Sequence, residues 1–257
     1  MASAESTSPT HGDAPAPTES EPLLGRPGDA IQRPDAPMIY NLFLGTGKLA
    51  QAGALLLLAI IWASVFTNPT LPLVSPHPLL QSLGVYTVIQ AILILQPTNT
   101  PHTKLLGQRA HFRMHILSLS LFVAGTTIIE INKATNHLAH FHSPHAYLGV
   151  ITLALLLLQY LFGLTIWAVP ALYGGEDPAK RLWKYHRWAG YAALLLLLAT
   201  VAAAVETDYT ESVLRIRLWA VLVAEALIVA GVFPRVHLRK LGLRAPRASS
   251  SSSSSSS

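Results

Sequence analysis

The sequence contains no cysteine, which removes disulfides, iron–sulfur clusters, thiolate metal sites and thiol catalysis together. Charge is scarce too. Only 12% of the 257 residues are charged and 51% are hydrophobic, against about 25% charged for an ordinary soluble domain. Several apolar runs reach the roughly 20 residues needed to cross a hydrocarbon core of about 30 Å. Spans, short loops and two tails therefore use up the length, and no large soluble domain fits. No Gly-rich dinucleotide fingerprint or flavin domain is present. An apolar h-region is missing near the N terminus, so no signal peptide is expected.

The segment from Met1 to about Ala36 is rich in Pro, Ser, Glu, Asp and Gly without apolar periodicity, the composition of a disordered tail (1–36). Within it, Glu19-Ser20-Glu21-Pro22-Leu23-Leu24 resembles acidic dileucine sorting signals. It makes a vacuolar, lysosomal or other endomembrane one expected destination. The serine-rich end (244–257) reads as a second disordered tail. Between them, residues 37–243 form one expected membrane domain.

Six candidate spans occupy it: Gly47 to Phe66, His77 to Leu95, His111 to Ile131, His145 to Val169, His186 to Val205 and Leu218 to Phe233. The last is short unless its helix starts nearer Val213. An even number puts both termini on one side. If that side is cytoplasmic, fifteen of the eighteen basic residues fall inside or in the first turn from the inner face, leaving only Lys133, Arg215 and Arg217 outside. This matches the positive-inside rule. The formal charge of +5 is thereby read as topology, not as a nucleic-acid surface. The expected fold class is an all-α integral membrane protein with six transmembrane helices.

Four of the spans begin at a histidine, His77, His111, His145 and His186, with spacings of 34, 34 and 41. Consecutive spans run in opposite directions, so the parity places His77 and His145 near the outer face, and His111 and His186 near the inner one. Ionisable side chains inside a membrane bundle are rare and usually functional. A neutral imidazole donates one nitrogen to iron, and two facing imidazoles can grip a haem from both sides. Without a Cys-x-x-Cys-His motif, such a haem is held non-covalently. Any single one of these histidines could instead be an interfacial residue capping a helix start. Four at equivalent positions, with the parity to pair, point to two haem b groups in a four-helix core. His115, one turn deeper than His111 on the same face, is the open alternative for the inner ligand.

The segments Ser75-Pro76-His77-Pro78-Leu79-Leu80, Gly107-Gln108-Arg109-Ala110-His111, Ser143-Pro144-His145-Ala146-Tyr147-Leu148-Gly149 and Tyr185-His186-Arg187-Trp188-Ala189-Gly190-Tyr191 resemble the four ligand-bearing helix starts of the cytochrome b561 family, over about Gly47 to Leu241. The resemblance implies six helices, two haems and an ascorbate-dependent transmembrane oxidoreductase. Electrons would pass from cytoplasmic ascorbate to monodehydroascorbate or a ferric chelate on the opposite side. It also implies an association with ascorbate for a basic residue two before the third-helix ligand, the position Arg109 holds.

Arg109 and Lys184 belong to a basic cluster beside the inner pair that would attract such an anion, although positive-inside topology alone also accounts for basic residues there. On the outer side, His137, His140 and His142 precede His145. Histidine-rich loops can accept a metal chelate or be simple polar filler, and His140 is the best candidate acceptor site. Glu225, inside the sixth span, receives no role. The expected partners are ascorbate, one of the two acceptors and membrane lipid, and a lone chain and a homodimer both fit. The competing function is a metal or proton transporter that uses the histidines as a relay without haem, but paired mid-span breaks are weak here.

Overall fold

In lipid every backbone polar group needs an internal partner, which leaves helices as the economical way to bury these apolar runs. The computed structural model describes residues 30–33, 36–237 and 241, and all six spans appear as helices long and apolar enough to cross a membrane. They are α1 (Gly47–Thr67), α2 (Pro76–Leu95), α3 (Pro101–Thr135), α4 (Pro144–Ala168), α5 (Glu176–Ala204) and α6 (Leu218–Val232). The sorting-like motif at 19–24 and the serine run lie outside the described residues. Gln32, which composition assigns to the first tail, is buried; its backbone N–H donates to the Pro97 carbonyl at 3.0 Å.

Local chemistry sets the boundaries. α2, α3 and α4 each open on a proline, whose missing N–H costs nothing in a first turn. Ahead of α3, Thr100 and Thr103 form a reciprocal capping box, and Ser143 caps α4 through the Ala146 N–H. Two spans differ from expectation. α3 and α5 begin ten residues before His111 and His186, because the polar, basic turns that read as loop continue the helix beyond the apolar stretch. A short π turn (Thr210–Leu214) precedes α6, and Arg215 in the left-handed region (φ 53) breaks it from the helix. The sixth helix therefore starts at Leu218, not near Val213.

α2 packs along α3 and α4 along α5, giving two antiparallel hairpins, while α1 and α6 pair beside α2. The α1–α6 contact is close because it uses small residues. A Cβ on Gly53 would strike the Ala224 carbonyl and one on Gly231 would strike Ala50, the usual device for helix approach in lipid. The core runs through Ala54, Val85, Ile89, Leu194, Val221 and Ile228. α3 and α4 meet at only a few points, so an opening remains between the hairpins. Leu117, Val150, Leu155 and Leu158 are exposed on these two helices, as lipid-facing residues should be.

Chain direction alternates. α1, α3 and α5 start at one membrane face, here the first face; α2, α4 and α6 start at the second. Near the first face Arg235, in a 3-10 turn after α6, is 2% exposed and donates through Nη2 to the carbonyls of Asn41 and Leu93. Glu225 on α6 is buried, with Oε1 unpartnered.

Candidate functional site

His77 and His145 are the second residues of α2 and α4; His111 and His186 each lie ten residues past the start of α3 and α5. Parity therefore does place them in two layers, one per face. Three of the rings are fixed in the same manner. His77 Nδ1 is 2.9 Å from the Gly125 carbonyl, His145 Nδ1 is 2.9 Å from that of Thr200, and His111 Nδ1 is 2.8 Å from that of Ala91. A carbonyl only accepts, so each Nδ1 carries the proton and Nε2 keeps a free lone pair. That is the tautomer, and the carbonyl hydrogen bond behind the ring, expected of a metal-ligating histidine.

The supporting carbonyls follow a register. Gly125 stands fourteen residues beyond His111 on α3, Ala91 fourteen beyond His77 on α2, and Thr200 fourteen beyond His186 on α5. At 1.5 Å of rise per residue, fourteen residues separate the layers by roughly 21 Å. The fourth member breaks the pattern. Gln159, fourteen beyond His145 on α4, donates its side-chain Nε2 to the His186 carbonyl at 2.5 Å, and His186 Nδ1 is buried without a partner.

At the second face the His77 and His145 ring centres are 6.1 Å apart with planes at 81°. Two imidazoles bound to one metal at roughly 2.0–2.1 Å, each ring centre about 1.1 Å behind its nitrogen, would stand ~6.3 Å apart. The spacing of the pair suits an iron between its rings.

At the first face His111 and His186 line one cavity of about 490 Å3 between the hairpins, within the range of about 300–1,000 Å3 typical of cofactor pockets. A Cβ on Gly163 would come within 2.6 Å of His186 Cε1, so the imidazole lies directly on the bare α4 backbone. Trp183 meets the same ring edge-on at 5.5 Å. His115 also lines the cavity, its ring centre 4.2 Å from that of His111 and 4.6 Å from that of Tyr160. Its Nδ1 is buried without a partner, so it lacks the carbonyl anchor that fixes His111. Tyr160 is tied to α3 by a 3.0 Å hydroxyl contact with Ser118.

The charged residues sort differently from the histidines. Arg109 and Lys184 are exposed and do not line the cavity; Lys184 Nζ sits 4.8 Å over the Tyr185 ring. Lys104, Arg187 and Arg235 do line it, and among the described residues no carboxylate does. On the second face His140 Nδ1 is 2.7 Å from Glu130 Oε2, both side chains about half exposed (47% and 46%), and Lys133 bonds the other Glu130 oxygen at 3.2 Å. His142 Nδ1 donates to the Ala139 carbonyl, and His137 takes a left-handed φ of 54. The loop therefore does not gather its three imidazoles around one point by hydrogen bonding. Sequence reading missed Glu130, ten residues upstream of His140 on the end of α3, and the burial of Arg235. A capped α3 extending to Thr135 would have signalled the first, and nothing in the sequence signals the second.

Residues 76–212 match the family described as eukaryotic cytochrome b561, a stretch that contains all four histidines. The chain is also similar to a lysosomal membrane ascorbate-dependent ferrireductase of Rattus norvegicus, 24% identical over 131 residues, which is 50% of this chain and 50% of that protein. The chain thus spans about half the length of the curated relative it matches.

Proposed function

The chain belongs to the eukaryotic cytochrome b561 family, and from that premise we propose that it moves electrons across a membrane through two b-type haems, one held by His77 and His145, the other by His111 and His186. The observation that carries the proposal is the two-layer histidine arrangement, with three rings fixed through Nδ1 to carbonyls of the hairpin partner. When bound, a haem with two imidazole ligands supplies a one-electron carrier that cycles between ferric and ferrous iron.

The chain's own residues do the rest. The carbonyls of Gly125, Ala91 and Thr200 hold Nε2 unprotonated and aimed away from the helix that anchors it. Gly163 lets His186 approach α4. His111 serves as ligand in preference to His115, since only His111 has its Nδ1 anchored. His115 then packs beside it against Tyr160.

The first face is the cytoplasmic one, supported by the basic residues gathered there, and the donor is ascorbate. Its monoanion gives up one electron and one proton to become monodehydroascorbate, and the cations near His111 and His186 attract it; Arg109 and Lys184, exposed at that rim, act as its docking residues. At the second face the acceptor is a ferric chelate reduced by one electron to ferrous iron, with monodehydroascorbate as the competing acceptor. The Glu130 carboxylate fixes His140 through Nδ1 and leaves Nε2 to meet it. The transporter reading is not favoured, because the family is one of haem-binding cytochromes.

Extractable haem per purified chain tests the core of this reading. Two per chain are expected, and a colourless protein with intact helices would refute it.

A further inference from the structure

One of the four histidines departs from the register that the others share. His77, His145 and His111 each donate Nδ1–H to a carbonyl of a neighbouring helix, at 2.9, 2.9 and 2.8 Å. His186 has no such acceptor, and its Nδ1 is buried without a partner. The Cε1 edge of the ring points at α4, where a Cβ on Gly163 would lie 2.6 Å from Cε1, 3.1 Å from Nδ1 and 3.2 Å from Nε2. His186 lines the cavity it shares with His111, so Nε2 is the nitrogen left for an iron.

What fixes His186 is its own backbone. Gln159 stands on α4 where Ala91, Gly125 and Thr200 stand on the other three helices, fourteen residues beyond a histidine. Its side-chain amide donates to the His186 carbonyl at 2.5 Å. To get there it passes over Gly190, where an added Cβ would meet Gln159 Nε2 at 3.0 Å. A long amide on α4 and a bare backbone one turn beyond His186 together make this contact.

The difference bears on the metal through ligand basicity. A carbonyl that accepts Nδ1–H makes the opposite nitrogen a stronger donor, which favours ferric over ferrous iron, and hydrogen bonding around a haem is one of the means by which a protein sets its potential. The second-face pair has two such anchors. The first-face pair has one, on His111. A buried N–H without an acceptor is costly, and a redox role is among the few reasons to keep one.

Given two haems held as proposed, we infer that Gln159 is a positioning residue that places His186 without an Nδ1 acceptor, so that the His111–His186 haem has a more positive potential than the His77–His145 haem. An electron entering at the first face is then held in the layer nearest its donor until an oxidant empties the other. Lys104, which lines the first-face cavity, acts in the same direction by charge alone, so the experiment isolates the imidazole.

The test uses the full chain purified with its haems, and a wild-type chain without haem would refute the two-haem reading itself. His145→Gly and His186→Gly are each supplied with free imidazole or with thiazole, which carries sulfur where the second N–H stands. The preference for imidazole over thiazole should be about tenfold larger at the vacated His145 position, where the N–H meets the Thr200 carbonyl, than at the vacated His186 position. Equal preferences would overturn the inference. Redox titration gives a second readout. The haem left in His77→Ala should titrate at a more positive potential than the haem left in His111→Ala, and the reverse order would overturn it as well. Gln159→Leu keeps the bulk and removes the donor, and should shift the potential or lower the occupancy of the first-face haem while the second-face haem stays as in wild type. A first-face potential and occupancy identical to wild type would overturn the placing role of Gln159. Should a glycine variant fail to take up haem, the titrations decide.

Discussion

The His111 imidazole is held through Nδ1, at 2.8 Å, by the carbonyl of Ala91, which stands fourteen residues along α2 from His77. The helix that supplies one layer's histidine thus sets the tautomer of the other layer's. The α4–α5 hairpin repeats half of this, with Thr200 holding His145, and the α2–α3 hairpin completes it, with Gly125 holding His77.

Haem is expected to leave by layer. Ala at His77 or His145 should reduce haem per chain from two to one, and so should Ala at His111 or His186. Combining two from the same layer should remove no more, while combining one from each should remove both. Pyridine haemochrome ratios on the purified variants check this, and a crossed pattern would refute the pairing. The His115→Ala variant should keep both haems.

Gly163→Ala should behave like a selective lesion of the first-face layer. The added methyl would meet the His186 ring at 2.6 Å from Cε1, and the ring or the α4 backbone must shift to relieve it. Haem per chain should fall towards one while the His77–His145 site stays filled. Redox titration, which should lose one of two components, distinguishes this from general unfolding.

Arg109→Gln and Lys184→Gln should slow reduction by ascorbate while both haems remain bound. Both side chains are exposed, so the effect should be a factor of roughly two to five at low salt and fade towards 1 M, where the screening length is about 3 Å. Stopped-flow reduction at two ionic strengths measures it. Equal rates for wild type and the double variant at low salt would return both residues to topology alone.

Vesicles loaded with ascorbate and supplied externally with a ferric chelate should produce external ferrous iron, read with a ferrous-specific dye. His140→Ala should slow this, and Glu130→Gln should slow it as well, because the carboxylate orients the imidazole at 2.7 Å. Unaltered rates in both variants would locate the acceptor elsewhere on the second face. Consumption of external monodehydroascorbate without ferrous iron would select the other acceptor.

The six helices and the layering of four histidines were legible because apolar length and alternating direction are properties of the sequence itself. The starts of α3 and α5 were not read correctly. Lys104 and Arg109, like Lys180 and Lys184, look like loop when only hydrophobicity is followed, although Pro101 and the Thr100–Thr103 box were readable as a helix start. His111 and His115 share a helix face, so periodicity could not separate them; the Ala91 carbonyl does, and it comes from another helix. For the same reason Arg235, one basic residue among several at the C-terminal end, gave no sign that Asn41 and Leu93 would enclose it.

Each layer takes one histidine from either hairpin, while α3 meets α4 at few points, among them Ser118 with Tyr160 and Phe112 with Trp167. The apolar core that joins α2 to α5 holds the two hairpins together, and whatever the paired imidazoles grip adds a further tie between them. A chain made without tetrapyrrole should therefore keep its six helices but melt at a lower temperature than the haem-loaded chain, the missing tie showing as lost cohesion between the hairpins.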